Sequence, residues 1–406
     1  MASAASPPSW VILGSVPRVL SPAAADTDLP PGVADFSLAL PAPPRVALLT
    51  IRARIYPDRA SSRRSPTIIA ADPSGLILLH SEQGRRATPG PTITDTPGHQ
   101  GVSWCPYLDA YFLLDATAPA TAAFPLPNPE LLSGPGFIGL ITSPKGYMVA
   151  ELQPVFGSAK AQLLRFSSQV GEWVTQSVAY PLPRRSWRRA DGVLSCSGRL
   201  WWVDLAWCLL TCNPFAYDPT LTVVHLPEGK VLKPREAAGL LDKYRCVGVS
   251  AGKLRFVDMY RNRSSRSGAA QISVWTLDDH PVGSWTLECE ATFTEICNDP
   301  SYKATGLPRK IPVLALIHPT NPDVVYFFLD GHLFGVDVRA RKVVHCELYD
   351  LVEPSMEKVA SRFVQAWQLP PALCSGSAKE TDDGVDEELQ RLHLRDEHEE
   401  REAGLT

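Results

Sequence analysis

One phrase recurs along this chain: a turn, a short run of large apolar residues, then an acid. It reads "LDAYFLLD" ending at Asp115, "PKGYMVAE" ending at Glu151, "SGRLWWVD" ending at Asp204, "AGKLRFVD" ending at Asp258 and "PDVVYFFLD" ending at Asp330. A weaker copy, "DPSGLILLHSE", has His80 in the acidic place. Successive copies stand 35, 36, 53, 54 and 72 residues apart. Those spacings bracket the ~40 to 50 residues of a propeller blade once loop insertions are allowed. A single hairpin of this kind cannot bury both of its faces, whereas a ring of them can.

The residues after each copy extend the unit. After Asp204 come "LAWCLLTCNPF" and "LTVVHLP"; after Asp258 a polar loop and "QISVWTL"; after Asp330 "GHLFGVDV" and "VVHCELY". A four-stranded antiparallel blade is the simplest element that contains a hairpin and these further strands. Glycine in "SG", "AG" and "KG" supplies positive φ at the turns, and proline in "NPD" and "DPSG" presets φ. Proline makes up 38 of the 406 residues and is spread throughout. That leaves few gaps for the crossover helices of a parallel α/β sheet. The expected fold is all-β: a β-propeller-like ring of about six antiparallel blades, with seven as the alternative, forming one domain over residues 9–370. A helix is expected over 355–368, "SMEKVASRFVQAWQ", and residues 1–8 are expected to be disordered.

Charge separates the ends from the body. Residues 375–406 hold eleven Asp and Glu against four Lys and Arg, a balance of −7, which leaves 35 basic and 32 acidic residues, or +3, elsewhere. A body so near neutrality is not expected to capture nucleic acid or membrane by charge alone. The tail places Glu387 with Arg391 and Glu397 with Arg401 at helical spacing, with a thin stripe of Val385, Leu389 and Leu392. Its low apolar content predicts an acidic, disordered or partly helical segment. The start has no basic region followed by an apolar run, and no stretch reaches eighteen apolar residues, so secretion and membrane spanning are not expected. Nine scattered cysteines read as reduced thiols of a cytoplasmic or nuclear protein.

The run "DGVLSCSGRLWWVDLAWCLLTCNPF", followed by "LTVVHLP", "DKYRCVGVSAGKLRFVD" and "ISVWTL", resembles the plant family catalogued as domain of unknown function 1618, expanded in grasses. "SWVILGSVPRV", "APPRVALLT", "ADPSGLILL" and "PVLALIHPTNPDVVYFFLDGHLFGVDVRARKVV" are similar to the rest of its framework, so the resemblance spans about residues 9–370. It implies a strand pattern similar to F-box-associated and kelch propellers, and it assigns no activity, cofactor or catalytic residue. No F-box-like helical segment precedes Trp10, so a substrate-receptor role in ubiquitin ligation is not expected.

Several residues are candidates for chemistry. Cys208 and Cys212, four apart in "CLLTC", share one face of a strand, but zinc needs two further ligands and no second pair has metal spacing, so both are read as core. The acids Asp115, Glu151, Asp204, Asp258 and Asp330 are read as structural, each accepting hydrogen bonds at a strand end. The alternative is that they converge at the axis as the paired carboxylates of a glycoside hydrolase. Phosphate loops, nucleophile elbows and paired-histidine motifs are missing from the sequence. "PRRSWRRA" gathers Arg184, Arg185, Arg188 and Arg189 around Trp187; "YRNRSSRS" adds Arg261, Arg263 and Arg266; "ASSRRS" adds Arg63 and Arg64. On one rim they would form a patch for an acidic protein segment, the chain's own tail included, or for RNA stacked on Trp187. The expected function is a monomeric, non-enzymatic module, without cofactor or metal, that binds an unidentified protein through loops on one face. The alternatives are the hydrolase and RNA binding.

Overall fold

The structure is a computed structural model and describes residues 8–20, 35–58, 64–85, 92–96, 99–103, 107–119, 121–155, 157–182, 190–233, 241–259, 270–278, 283–349 and 363–374. The chain opens with β1 (Trp10–Gly14), β2 (Arg18–Val19), β3 (Phe36–Ala39) and β4 (Val46–Ile51). Next come β5 (Thr67–Ala71), β6 (Leu76–Arg85), a separate hairpin of β7 (Thr92–Thr96) and β8 (His99–Ser103), then β9 (Tyr107–Asp115) and β10 (Ala123–Pro125). Four regular meanders come after these. They are β11 (Ile138–Ser143), β12 (Gly146–Pro154), β13 (Lys160–Ser167) and β14 (Trp173–Ala179); β15 (Gly192–Cys196), β16 (Arg199–Asp204), β17 (Cys208–Cys212) and β18 (Thr222–His225); β19 (Arg245–Ser250), β20 (Lys253–Asp258), β21 (Gln271–Leu277) and β22 (Trp285–Thr292); and β23 (Val313–Ile317), β24 (Val324–Leu329), β25 (His332–Asp337) and β26 (Lys342–Leu348). Helices α1 (Phe293–Asn298) and α2 (Pro300–Ala304) stand before β23, and β27 (Val364–Gln368) and α3 (Pro371–Cys374) complete the described chain.

Five sheets are four-stranded antiparallel blades: β5-β6-β9-β10 (sheet II), and the four meanders in order (sheets III to VI). Sheet I differs from the antiparallel unit expected. Its order is β27-β1-β4-β2, with β3 also on β4, and β1 with β4 and β2 with β4 are parallel pairs. It joins the first strands of the domain to the last, so apart from the consecutive antiparallel pair β3 and β4 its neighbours are not joined by hairpins.

Six apolar cores lie between successive sheets. Val11 and Leu49 of sheet I pack with Ile77 and Leu79 of sheet II, Leu78 and Leu113 of II with Leu140 and Val149 of III, and Ala150 and Leu163 of III with Trp202 and Leu210 of IV. Trp201 and Val203 of IV meet Leu254 and Phe256 of V, Val257 and Ile272 of V meet Val325 and Phe334 of VI, and Leu316 and Tyr326 of VI meet Trp10 and Ile12 of I. The sixth core closes the ring. The alternation of β16 produces two of these cores at once, because Leu200 and Trp202 point to sheet III while Trp201 and Val203 point to sheet V.

Two sequence expectations are corrected here. Asp115 ends β9, the third strand of the sheet whose second strand, β6, carries His80. Those two copies therefore share one sheet, and the 35 residues between them are an intra-sheet distance. The remaining copies fall on the second strands β12, β16, β20 and β24. The helix expected over 355–368 is a strand where it is described: β27 pairs with β1 from Trp10↔Gln368 to Gly14↔Val364. The open edge of β1 and the burial of Trp367, 0% exposed, outweigh the local helical preference. Residues 355–362 lie outside the described residues, as do 1–7 and the tail 375–406. Helix α1 lies outside the sequence expectations, although "TFTE" is a capping box: Thr292 Oγ1 accepts from Glu295 N, and Glu295 Oε2 accepts from Thr292 N. Among the described residues no helix is long and apolar enough to cross a membrane.

Candidate functional site

The strands β5, β11, β15, β19, β23 and β27 are neighbours in turn around the axis. Their starts, reached by the connectors between sheets, mark one face of the ring. The second strand of each antiparallel sheet ends at the same face. Most of the acids singled out in the sequence therefore stand here, and three of the five sheets use one of them to hold the incoming connector, while a fourth uses Glu82.

In sheet III, Glu151 is 0% exposed. Its Oε1 and Oε2 accept from Ser133 N at 3.0 and 3.1 Å, and Oε2 also accepts from Gln153 Nε2 at 2.6 Å. Gln153 Nε2 donates in addition to Leu131 O, so the connector is held at two points. Burial pushes the Glu151 carboxyl up to about 7, against the opposing pull of these hydrogen bonds. In sheet V, Asp258 is 4% exposed and accepts from Arg245 Nε at 2.8 Å and Lys230 Nζ at 2.9 Å. Arg245 Nη1 donates to Leu205 O and Lys230 O, tying sheets IV and V together. In sheet VI, Asp330 is exposed and pairs with Lys310 Nζ at 2.8 Å.

Sheet IV reverses the roles. Asp204 accepts from Ala206 N at 2.8 Å within its own turn, and it is Asp191, just ahead of β15, that accepts from Leu205 N at 2.9 Å. Sheet II uses Glu82 rather than His80, the residue that the repeated phrase selects. Glu82, 3% exposed, accepts from Arg64 N at 3.2 Å. His80, 1% exposed, instead meets Asp109 Oδ1 on β9 at 2.8 Å. The signal for Glu82 is the acid two residues on in "LHSE". Asp115 stands at the opposite face and accepts from Thr117 N and Oγ1.

Chemically, these acids stand one to a sheet and are engaged with backbone or cations. The strands that border the axis read TIIAA, IGLITS, GVLSC, RCVGVS, VLALI and VQAWQ, without an Asp or Glu. The described inner strands therefore place no carboxylate of their own along the axis, where the alternative expectation puts the paired carboxylates of glycoside hydrolysis. Cys208 and Cys212 are both 0% exposed in the core between sheets III and IV, and burial pushes the Cys212 thiol up to about 11. No group of His, Cys, Asp and Glu among the described residues could hold a metal ion. A shallow, open depression of about 450 Å³ lies away from the axis at the outer edge of sheet VI, between Ala304 and Thr305 on one side and Val343 to Leu348 on the other.

The arginine clusters attach to the same face as the acids. Arg184, Arg185, Trp187, Arg188 and Arg189 lie outside the described residues, between Leu182 and Ala190, where the chain enters β15. Arg261, Arg263 and Arg266 also lie outside them, between Met259, at the end of β20, and Ala270.

No curated protein matches the chain. Among solved structures it resembles AztD of Citrobacter koseri at 13% identity, covering 74% of each chain with a TM-score of 0.30. It also resembles the WD40 domain of SCAP from fission yeast at 11% identity over 60% of this chain and 48% of that one, TM-score 0.28. A third likeness is to the α-L-arabinofuranosidase PaAbf62A from Podospora anserina, solved with cellotriose, at 12% identity over 82% and 92% of the two chains, TM-score 0.28. At those scores the likenesses carry no argument, and the ring is described from its own sheets. Residues 202–326, from Trp202 in sheet IV through Tyr326 in sheet VI, match a protein family of unknown function, DUF1618.

Proposed function

We propose that this chain is a non-enzymatic interaction module, a six-bladed ring in which mixed sheet I serves as the closing blade, and that it binds an acidic segment of another protein at the face where the inner strands begin. The observation that carries this reading is the distribution of charge there. The acids described at the ends of the second strands are engaged with backbone or cations, whereas the two segments tethered to that face, 183–189 and 260–269, hold seven arginines and no acid. Arginine in that density suits carboxylate recognition, since each guanidinium offers paired donors. The sequence resemblance over residues 9–370 supports reading it as an intracellular plant protein.

The test is affinity capture from its native tissue with the wild-type chain and with a variant carrying Glu at Arg184, Arg185, Arg188, Arg189, Arg261, Arg263 and Arg266. The variant is expected to lose the acidic interactors. An identical set of interactors from both proteins would place the binding face elsewhere. The tail is a candidate occupant of the same face, and a chain ending at Cys374 is then expected to recover more of those interactors than the full chain. A hydrolase is disfavoured, because the described strands that border the axis carry no Asp or Glu.

A further inference from the structure

The outer edges of the sheets differ in how they are protected against adding another strand. Edge strands are kept from pairing by being short or by carrying charge or proline. On sheet I the edge strands are β2, of two residues, and β3, of four; on sheet II β10 has three residues and ends in Pro125; on sheet IV β18 has four. The long edges β22 and β26 carry Glu288 and Glu290, and Lys342 and Glu347. Helix α2 adds cover to β26, where Val343 N donates to Ser301 Oγ. Only β14 among these edges is long and unguarded: seven residues, WVTQSVA, without a charge or a proline.

The sequence of β14 is complementary to itself. In an antiparallel pairing centred on Gln176, residue i faces residue 352 − i of the second copy. Trp173 then faces Ala179, Val174 faces Val178, Thr175 faces Ser177, and Gln176 faces Gln176. The Thr175–Ser177 pair is a favourable hydroxyl combination that occurs twice about the axis, and no pair sets like charges against each other.

The ground beside the strand is apolar and held in place. Val174 is 46% exposed, Phe215 36% and Tyr217 98%. Arg165 Nη1 donates to Pro214 O and Ala216 O, its Nη2 donates to Gln176 Oε1, and Gln176 Nε2 donates to Tyr217 O. Tyr217 is thus fixed next to the residue through which the axis would pass, and the two copies of its ring would flank that axis.

We infer that β14 is a homodimerisation edge: two copies of the chain pair antiparallel about Gln176, joining two sheets III into one eight-stranded sheet, with Val174 and Tyr217 covered in the contact. An isologous contact of this kind closes on itself and does not propagate.

Sedimentation of the full chain from about 1 to 100 µM tests it, since a dimer dissociates by mass action over such a range. The wild type is expected to approach twice the monomer mass. Thr175→Lys with Ser177→Lys places lysine opposite lysine at two positions, and Thr175→Glu with Ser177→Glu places glutamate opposite glutamate. Each double variant is expected to dimerise at least tenfold more weakly, and an equimolar mixture of the two is expected to recover the dimer. Tyr217→Ala is expected to weaken the wild-type dimer without altering the circular dichroism of the monomer. A wild type that remains monomeric at the highest concentration overturns the inference and leaves the edge to a strand from a different chain. A Lys–Lys variant that dimerises as well as the wild type overturns it equally.

Discussion

Glu151→Gln probes the connector clamp most directly, because Glu151 titrates near neutrality while fully buried. Its carboxyl stands at about 7 in the folded chain, against 4.5 for the free group. A folded-state value above the unfolded one means that the native protein binds the proton more tightly. The stability associated with protonated Glu151 is therefore fully present below about pH 4.5 and is lost as the pH rises to about 7. A displacement of this size corresponds to about 3 kcal/mol in total, and to about 2 to 3 kcal/mol between pH 5 and pH 8.5. Glutamine keeps one oxygen to accept from Ser133 N, but its amide nitrogen meets Gln153 Nε2, which must turn and give up Leu131 O. That lost bond costs about 1 kcal/mol and does not vary with pH. The variant is thus expected to be slightly less stable than the wild type at pH 5 and more stable at pH 8.5, the crossing being produced by titration alone. Urea unfolding followed by tryptophan fluorescence, with both proteins at each pH, isolates this group from all others that titrate. A stability difference that stays constant to within about 0.5 kcal/mol across that range, or that moves against the variant as the pH rises, would refute the argument.

Four further outcomes are expected from particular contacts. Gly139→Ala is expected to cost about 1 to 3 kcal/mol in urea unfolding, because a Cβ there would lie 2.6 Å from Val193 Cγ1 and 2.9 Å from Leu200 Cδ2 at the meeting of sheets III and IV. Ala251→Gly is expected to raise stability by about 0.5 to 1 kcal/mol, since Ala251 sits at φ 50° in a two-residue turn ahead of Gly252; unchanged or lower stability counts against strain at that position. Asp258→Ala is expected to cost about 3 to 5 kcal/mol by leaving the buried charge of Arg245, 2% exposed, without its carboxylate, and adding Arg245→Met should recover much of that loss in the same assay. His318 is held down to about 4, chiefly by burial and then by the charge of His345, so its contribution is complete above about pH 6.5 and lost as the pH falls towards 4. His318→Asn, whose side-chain oxygen can accept from Thr320 N and Asn321 N as the imidazole Nδ1 does, should flatten that acid limb in urea midpoints measured between pH 4.5 and 7.5.

What the chain reveals before folding is what it encodes locally. Hairpin strands have period-two burial, so the division of Trp201 from Trp202 between two cores can be read directly from "RLWWVD". The two-residue turns at Ser197 and Gly198, Ala251 and Gly252, and Asp330 and Gly331, with positive φ at both positions, announce themselves through their glycines. Sheet I is hidden for the opposite reason. Its pairing of Trp10 with Gln368 spans nearly the whole chain, and nothing within "RFVQAWQ" distinguishes a strand from a helix until the edge of β1 is available. The acids are legible as a set because each ends a run of apolar residues, but their partners are not. Ser133, Lys230 and Lys310 lie in connectors of no regular pattern, and Asp191 takes over in sheet IV from the acid that the phrase selects. Asp115 joins the set in the sequence because third strands and second strands carry the same apolar run.

The clamps and the closing sheet answer one physical requirement. In sheets III to VI the four strands succeed one another with short-range pairing, and in sheet II only the hairpin of β7 and β8 intervenes, but the stacking around the axis depends on where each connector delivers the next inner strand. Buried acceptors at the ends of the second strands fix that point: Glu151 on Ser133, Asp258 on Arg245 and Lys230, and Glu82 on Arg64. The chain leading into the last strand of sheet I, residues 350–362, lies outside the described residues, and other contacts are found at the two joints that this sheet makes. Trp367 Nε1 donates to Asp72 O and Ile68 N to Ser15 O across the joint with sheet II, and the Trp10 ring lies 4.3 Å from the ring of His318 across the joint with sheet VI. Glu151, Asp258 and Glu82 thus share one mechanical task, which is to fix the point where a connector meets the next inner strand.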